Sequence, residues 1–156
     1  MKKALTTLCL FAGLALPATA EARTLTLNTT LNNYGGNGAY LAIYLTDAQG
    51  KVHSTLRVAA PKAKYYSHLR EWSRGSAAAR RPIDGVTGAS VGSGQTLKVS
   101  VDVADALIDA GYQIRVDSSV ENGRDNPSEI VVPLARAAAA TPVAGKGYVK
   151  SFRFDM

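Results

Sequence analysis

Alternation of apolar and polar residues with a period of two is the feature that most constrains this chain. Side chains of a β-strand point to opposite faces in turn, so a strand with one buried face alternates in this way. Seven short segments have the pattern, several with one polar face, which is typical of antiparallel sheets. They are Leu25–Leu31, Ala39–Leu45, Val52–Val58, Leu97–Val101, Tyr112–Val120, Ile130–Leu134 and Tyr148–Phe154. We therefore expect an all-β fold, an immunoglobulin-like antiparallel β-sandwich.

The length and composition fit one domain, which we place over residues 23–156. A chain of 156 residues that is 46% hydrophobic can bury one real core but not two comfortable ones. Cys9 is the single cysteine, and His53 and His68 are the two histidines. These counts exclude a disulfide scaffold and any cysteine-based zinc or iron–sulfur site, and they make a two-histidine metal site a poor expectation.

Residues 1–20 have the three parts of a secretory signal peptide. The pair Lys2-Lys3 precedes the apolar run Ala4–Ala15, which is too short to cross a membrane. Ala18-Thr19-Ala20 then supplies a small-x-small cleavage site, with a second possible cut after Ala22. We expect export to the periplasm. The net charge of +6 is modest, so nucleic acid is not an expected partner of such a protein.

Three segments interrupt the strand pattern. Tyr65, Leu69 and Trp72 fall at i, i+4 and i+7, which predicts one stripe of a short helix. Gly75–Gly94 is rich in Gly, Ser, Ala and Pro, and so long a connection without a core of its own is usually functional or mobile. Ala135–Gly147 is a simpler stretch, for which we expect a flexible surface loop.

The long loop contains the sequence Asp84-Gly85-Val86-Thr87-Gly88-Ala89-Ser90. The pattern Asp-x-x-Ser/Thr-Gly-Ala-Ser/Thr resembles the acceptor site of bacterial FAD:protein FMN transferases. These enzymes move FMN from FAD onto a Ser or Thr hydroxyl as a phosphoester, outside the cytoplasm. The resemblance implies covalent FMN on Ser90, where threonine is the commoner acceptor. The recognition positions would be Asp84, Thr87, Gly88 and Ala89.

The same residue types also suit a plain surface turn. The fixed spacing, the signal peptide and the length of the loop favour the acceptor site. A serine hydroxyl is a weak nucleophile until a base removes its proton, and the transferase would supply that base and a metal ion. An acceptor therefore needs no catalytic residues of its own, and we predict none in this chain.

A wider resemblance covers Ala39 to about Leu134. This region is similar to a family of predicted periplasmic proteins classed as a domain of unknown function, whose members often accompany flavin transferases and PepSY-type membrane reductases. The matching stretches are Ala39–Asp47, Tyr66–Arg74, Asp84–Ser90 and Ala110–Val116. The resemblance implies an immunoglobulin-like fold, an electron-carrying role and those two enzymes as partners. It departs at Glu121-Asn122-Gly123, where a histidine would be more typical.

Basic and aromatic residues precede the motif. The basic ones are Lys62, Lys64, Arg70, Arg74, Arg80 and Arg81, opposed within the segment by Glu71 alone. They form either a solvated face or a docking surface for an anionic membrane leaflet, an acidic redox partner or the flavin phosphate. Trp72 would either cover a flavin ring by stacking or, as is more usual on an apolar stripe, belong to the core. Tyr65 and Tyr66 leave the same two options open, and His68 is a further residue that could approach the loop.

Together with the sequence patterns, the two resemblances imply an exported electron-transfer protein with FMN on Ser90. It would relay electrons between a membrane reductase and a periplasmic acceptor, as a carrier rather than a self-sufficient enzyme. Two alternatives remain. One is a cofactor-free binding or structural module, and the other is an oxidoreductase that binds flavin without a covalent bond at Trp72 and the basic segment.

Overall fold

The computed structural model describes residues 21–76 and 86–156. The signal peptide predicted over residues 1–20 lies outside these ranges. So do Asp84 of the predicted acceptor motif and Arg80 and Arg81 of the predicted basic segment.

The described residues form eight β-strands, one short α-helix and three 3-10 turns. The strands are β1 (Ala22–Leu31), β2 (Ala39–Thr46), β3 (Val52–Ala59), β4 (Thr87–Gly88), β5 (Thr96–Ala104), β6 (Gln113–Val120), β7 (Asp125–Pro133) and β8 (Val149–Asp155). The helix is α1 (Arg70–Gly75), and the 3-10 turns are Ala63–His68, Asp105–Leu107 and Arg136–Ala138. The prediction of an all-β fold is confirmed.

The strands form two sheets. The three-stranded sheet has the order β5-β1-β8, and the five-stranded sheet has the order β4-β3-β2-β6-β7. Neighbouring strands are antiparallel except β3 and β4, which run parallel, so the expectation of a wholly antiparallel arrangement was wrong at that edge. The exception arises because the chain crosses over through α1 before it returns as β4.

The main core lies between the two sheets. Leu25, Leu27 and Leu31 on β1 are fully buried against residues of the five-stranded sheet, as the alternation predicts. That sheet contributes Leu41, Ile43, Leu45, Leu56, Ile114, Val116, Ile130 and Val132. Burial of one such side chain stabilises the folded state by about 1.5–3 kcal/mol, so this core is the main source of stability.

A second, smaller core covers the opposite face of the five-stranded sheet. All eight residues of β2 are buried, because Tyr40, Ala42 and Tyr44 pack beneath the helical segment 63–75. The predicted single helical stripe was wrong in detail. The 3-10 turn ends at His68 and α1 begins at Arg70, with Leu69 between them, so the spacing does not continue through one helix. As a result the buried residues are Tyr66, Leu69 and Trp72, whereas Tyr65 is half-buried.

β3 contains a bulge that alters the predicted face pattern. Ile43 pairs with Arg57 and Tyr44 pairs with Thr55, so Leu56 is an extra residue in β3. The bulge turns Leu56 into the main core and leaves Val58 in the second core. Strict alternation over Val52–Val58 would put Leu56 and Val58 on one face, and this part of the prediction was wrong.

Residues 135–147 are not a free loop. The backbone N–H of Val143 donates to the Phe152 carbonyl at 2.8 Å, and the reverse bond is also 2.8 Å. Arg136 lies 2.5 Å from the Asp109 carboxylate at the start of the segment. The segment therefore runs along β8 and protects its outer edge, which corrects the prediction of a flexible surface loop.

Candidate functional site

The described part of the predicted acceptor motif, Val86–Ser90, starts at the edge of the five-stranded sheet. Thr87 and Gly88 form β4, paired with Val58 and Ala59 of β3. The backbone N–H of Val58 also donates to the Val86 carbonyl at 2.8 Å. The prediction that the motif lies on a long unpaired loop therefore fails for Val86–Gly88, because an edge strand offers backbone partners that composition does not reveal.

The chain is fixed again directly after the motif. Val91 is buried in the main core, and its backbone exchanges two hydrogen bonds with Ala39, at 2.7 Å and 2.9 Å. Between β4 and this bridge lie two residues, exposed Ala89 and half-buried Ser90. The motif thus presents Ser90 on a short connection that is held at both ends.

The Ser90 side chain lies against Gly38. A Cβ added to Gly38 would stand 2.8 Å from Ser90 Oγ and 3.1 Å from the Val91 carbonyl oxygen. Only the absence of a side chain at position 38 leaves room for the hydroxyl. Within residues 21–76 and 86–156, Ser90 Oγ has no hydrogen-bond partner, so the hydroxyl is not tied into the fold.

Gly88 has a packing role of its own. A Cβ at this position would meet the guanidinium of Arg57, whose side chain lies on the same face as Ala59 of β3. The Nε atom of Arg57 is buried and finds no hydrogen-bond partner among the described residues. Gly88 therefore leaves room for the Arg57 guanidinium beside β4.

An aromatic pair continues the surface beyond Ser90. The rings of Tyr40 and Tyr65 are stacked, with centroids 4.4 Å apart and planes 18° apart. Burial, followed by a hydrogen bond with Tyr65, raises the pKa of Tyr40 to about 12, so the hydroxyl is neutral at physiological pH. Nothing in the sequence pattern indicated that Tyr40 lies near the motif. This proximity depends on a contact between residues distant in sequence, because only the pairing of Ala39 with Val91 brings the two segments together.

Trp72 belongs to the second core. Its side chain is fully buried, its ring meets Tyr66 edge-on, and its Nε1–H donates to Thr55 Oγ1 at 2.9 Å. No face of the indole is open to a ligand in this structure. Of the two interpretations of Trp72, the structure supports core packing and does not support flavin stacking.

The basic segment is neutralised more fully than its sequence indicates. Arg70 lies 2.9 Å from Asp125 of β7, and Arg74 lies 2.5 Å from Glu71. His68 also contacts Asp125, at 3.2 Å, and not the Thr87–Ser90 segment. An open surface cavity of about 500 Å³ is lined by His68, Arg70, Arg74 and Asp125, together with Ser67 and Ser73. Asp125, which is distant in sequence, is the anionic partner that the local pattern missed.

The remaining features do not suggest a second centre. The described ranges contain no group of three His, Cys, Asp or Glu side chains suited to a metal ion. In the same ranges, none of the helices has the length and apolar character needed to cross a membrane. His53 packs edge-on against the ring of Tyr112. Glu121-Asn122-Gly123 forms the turn between β6 and β7, in which the Gly123 N–H donates a hydrogen bond to the Val120 carbonyl.

A comparison with protein families identifies the family of the chain. A family model described as "Predicted periplasmic protein (DUF2271)" matches residues 22–151. The chain belongs to the DUF2271 family. No curated protein and no solved structure matches the chain.

The DUF2271 match is longer than the region on which the sequence resemblance rests. It includes β1 and the beginning of β8 as well as the Thr87–Ser90 segment. The family description supports the periplasmic location expected from the sequence. In this DUF2271 protein, Ser90 lies between β4, which pairs with β3, and the bridge of Val91 to Ala39 at the start of β2.

Proposed function

We propose that this DUF2271 protein is an electron carrier of the periplasm with FMN joined covalently to Ser90. The observation that carries the proposal is the Ser90 hydroxyl, which has no hydrogen-bond partner in the described ranges and follows the acceptor-like residues Thr87, Gly88 and Ala89. Its position on a short connection beside exposed Ala89 is suited to a modifying enzyme that must contact the backbone on both sides.

The residues present fit a flavin phosphoester. The glycine at position 38 leaves open the space in which Ser90 Oγ lies. Attachment forms one bond, between Ser90 Oγ and the FMN phosphorus of FAD. It breaks the pyrophosphate bond, so AMP leaves and the hydroxyl proton passes to a base of the transferase.

The β-domain would act as a tether and a docking surface. When bound, the isoalloxazine accepts and releases electrons, while the protein determines where the ring is held. A covalent link prevents loss of a small cofactor and fixes its local concentration. An FAD:protein FMN transferase would load the chain, and a PepSY-type membrane reductase would be its redox partner. The cavity between His68, Arg70 and Arg74 is a candidate docking surface for such a partner or for the membrane surface.

We also propose that the two sheets form an immunoglobulin-like sandwich. Seven of the strands are long, they divide between two sheets, and both sheets contribute to one core, which is consistent with that architecture.

The test is co-production of the full chain with an FAD:protein FMN transferase in a bacterial periplasm. We expect intact mass spectrometry to find one FMN per chain, and flavin fluorescence to remain with the protein on a denaturing gel. Ser90→Ala should abolish both signals and Ser90→Thr should retain them. Ser93→Ala is the matched control, because Ser93 lies in the same segment but accepts a hydrogen bond from Gly35 N–H at 2.9 Å.

Two results would overturn the proposal. Unmodified wild-type chain in the presence of an active transferase would favour a cofactor-free module. The pairing of β4 with β3 and the contact of Gly88 with Arg57 would then be purely structural. Flavin that is released on denaturation and is unaffected by Ser90→Ala would favour non-covalent binding.

A further inference from the structure

We propose that the flavin ring tethered at Ser90 stacks on Tyr65, the more exposed member of the Tyr40–Tyr65 pair. This inference rests on the proposed attachment of FMN to Ser90. It deepens that proposal, because it names the surface that would hold the ring.

The bridge between Ala39 and Val91 determines the direction in which the Ser90 side chain points. Ala39 and Val91 form an antiparallel bridge, and both side chains are buried in the main core. The next positions along such a pair are Tyr40 and Ser90, which lie opposite each other. Since adjacent side chains in extended chain alternate, Ser90 and Tyr40 both point away from the main core.

The contact with Gly38 gives the same direction independently. Ser90 Oγ occupies the space where a Gly38 side chain would be, 2.8 Å from its ideal Cβ position. Position 38 is two residues before Tyr40, and positions two apart share a face of extended chain. Ser90 is therefore on the face that carries Tyr40 and the second core.

That face presents an aromatic surface next to Ser90. Tyr40 is only 6% exposed, but Tyr65 is half-buried and stacks on it at 4.4 Å. The Nζ atom of exposed Lys64 lies 4.8 Å from the Tyr65 ring centroid, on a flexible side chain that a flat ring can displace. An aromatic ring held parallel by a neighbour is a favourable platform for a second ring. Fully buried Trp72 offers no such surface.

The experiment measures flavin fluorescence of the covalently loaded full chain. A tyrosine in contact with isoalloxazine quenches its emission, because an electron passes from the phenol to the excited ring and then returns. We expect folded wild-type protein to be several-fold dimmer than the same sample unfolded in urea. Tyr65→Leu should recover most of the emission in the folded state. Tyr65→Phe should also recover the emission, and its phenyl ring should still hold the flavin ring in place.

Tyr112→Leu is the control for loss of a tyrosine elsewhere. Tyr112 precedes β6 at the opposite end from Val120, the residue that pairs with Ala39. Its substitution should leave emission unchanged. Fluorescence anisotropy of wild-type protein gives a second measurement that needs no variant. A stacked flavin rotates with the whole chain, whereas a free tether gives rapid local depolarisation.

The outcomes separate the two proposals. If mass spectrometry finds FMN on Ser90 but emission is equally bright in wild type and Tyr65→Leu, the stacking inference is wrong and the attachment stands. Rapid local depolarisation of loaded wild type also overturns stacking, even if Tyr65→Leu does not fold. If Ser90 carries no FMN, both proposals fail.

Discussion

The carboxylate of Asp117 accepts a hydrogen bond from the backbone N–H of Trp72 at 3.0 Å, and so joins β6 to α1. Asp117 is fully buried and also accepts bonds from the Tyr44 hydroxyl and the Ser128 N–H, each at 2.8 Å. One carboxylate thus satisfies three donors, which come from α1, β2 and β7. The helical segment that covers Tyr40 and Tyr44 is held in place by this group as well as by apolar contact.

Asp117→Ala should lower the free energy of unfolding by about 3 kcal/mol or more, because it leaves three buried donors without an acceptor. Urea unfolding followed by the emission of Trp72, the one tryptophan of the sequence, measures the loss. Asp102→Ala is the control, since Asp102 accepts one exposed bond from Thr24 and its loss should cost about 0.5 kcal/mol or less. Equal effects of the two substitutions would contradict the role assigned to Asp117.

The stability contributed by Asp117 should depend on pH. Burial raises the pKa of this carboxyl above its usual 3.8, against the opposing effect of its hydrogen bonds. The folded state then binds the proton more readily than the unfolded state, so this contribution rises as pH falls through the folded pKa towards 3.8. The difference in unfolding free energy between wild type and Asp117→Asn should shift in favour of wild type from neutral pH to about pH 4. No shift, or one of opposite sign, would refute this assignment.

Asp125 should show the opposite dependence. Burial acts to raise the pKa of its carboxyl, but hydrogen bonds from Ser119, Arg70 and His68 together outweigh burial and lower it. Its contribution is therefore present above the unfolded pKa and lost as pH falls through the lower folded pKa. Asp125→Asn should cost about 1–2 kcal/mol at neutral pH, with the difference from wild type closing below the usual value of 3.8.

The Asp125 prediction has an internal control in Arg70→Gln. This substitution removes only an exposed ion pair at 2.9 Å, so it should cost less than about 1 kcal/mol. Urea unfolding across the acidic range measures both variants. A loss for Asp125→Asn that stays constant down to the lowest pH would show that its charge is not the cause.

Gly38→Ala should couple energetically to Ser90. The added methyl group meets Ser90 Oγ at 2.8 Å and the Val91 carbonyl oxygen at 3.1 Å, so crowding should destabilise the fold by about 1–3 kcal/mol. Removing the hydroxyl in Gly38→Ala/Ser90→Ala should restore part of that loss, which a double-mutant cycle of urea unfolding measures. Gly92→Ala is the control, because its methyl group would meet only the flexible Gln95 side chain. Additive effects at positions 38 and 90 would rule out the contact.

Local patterns predicted the long strands well, and they failed where pairing is non-local. Alternation identified Leu25, Leu27 and Leu31 as one inward face because burial of one sheet face imposes a period of two. β4 could not be predicted, since Thr87 and Gly88 have no apolar alternation and become a strand only by pairing with Val58 and Ala59. β7 likewise begins before Ile130, at Asp125, because Asp125 and Asn126 pair with β6 beyond a bulge.

The candidate site was predictable as a sequence but not as a surface. The resemblance to the acceptor motif implied Ser90, but its neighbours Gly38 and Tyr40 come from a turn and a strand some fifty residues earlier. Trp72 illustrates the limit most clearly. Its place on an apolar stripe fits both a stacking surface and a core, and the choice depends on Thr55 and Tyr66, which pack around it in three dimensions.

The placement of β1 determines when this domain can finish folding. The first strand is central in its sheet, with β5 along one edge and β8, the last strand, along the other. The backbone hydrogen bonds of β1 to β8 must wait until the C-terminal segment is made, and contacts so far apart in sequence form slowly. The three-stranded sheet therefore cannot be completed before β8 has been synthesised, and a partly made chain lacks the pairing on one side of β1.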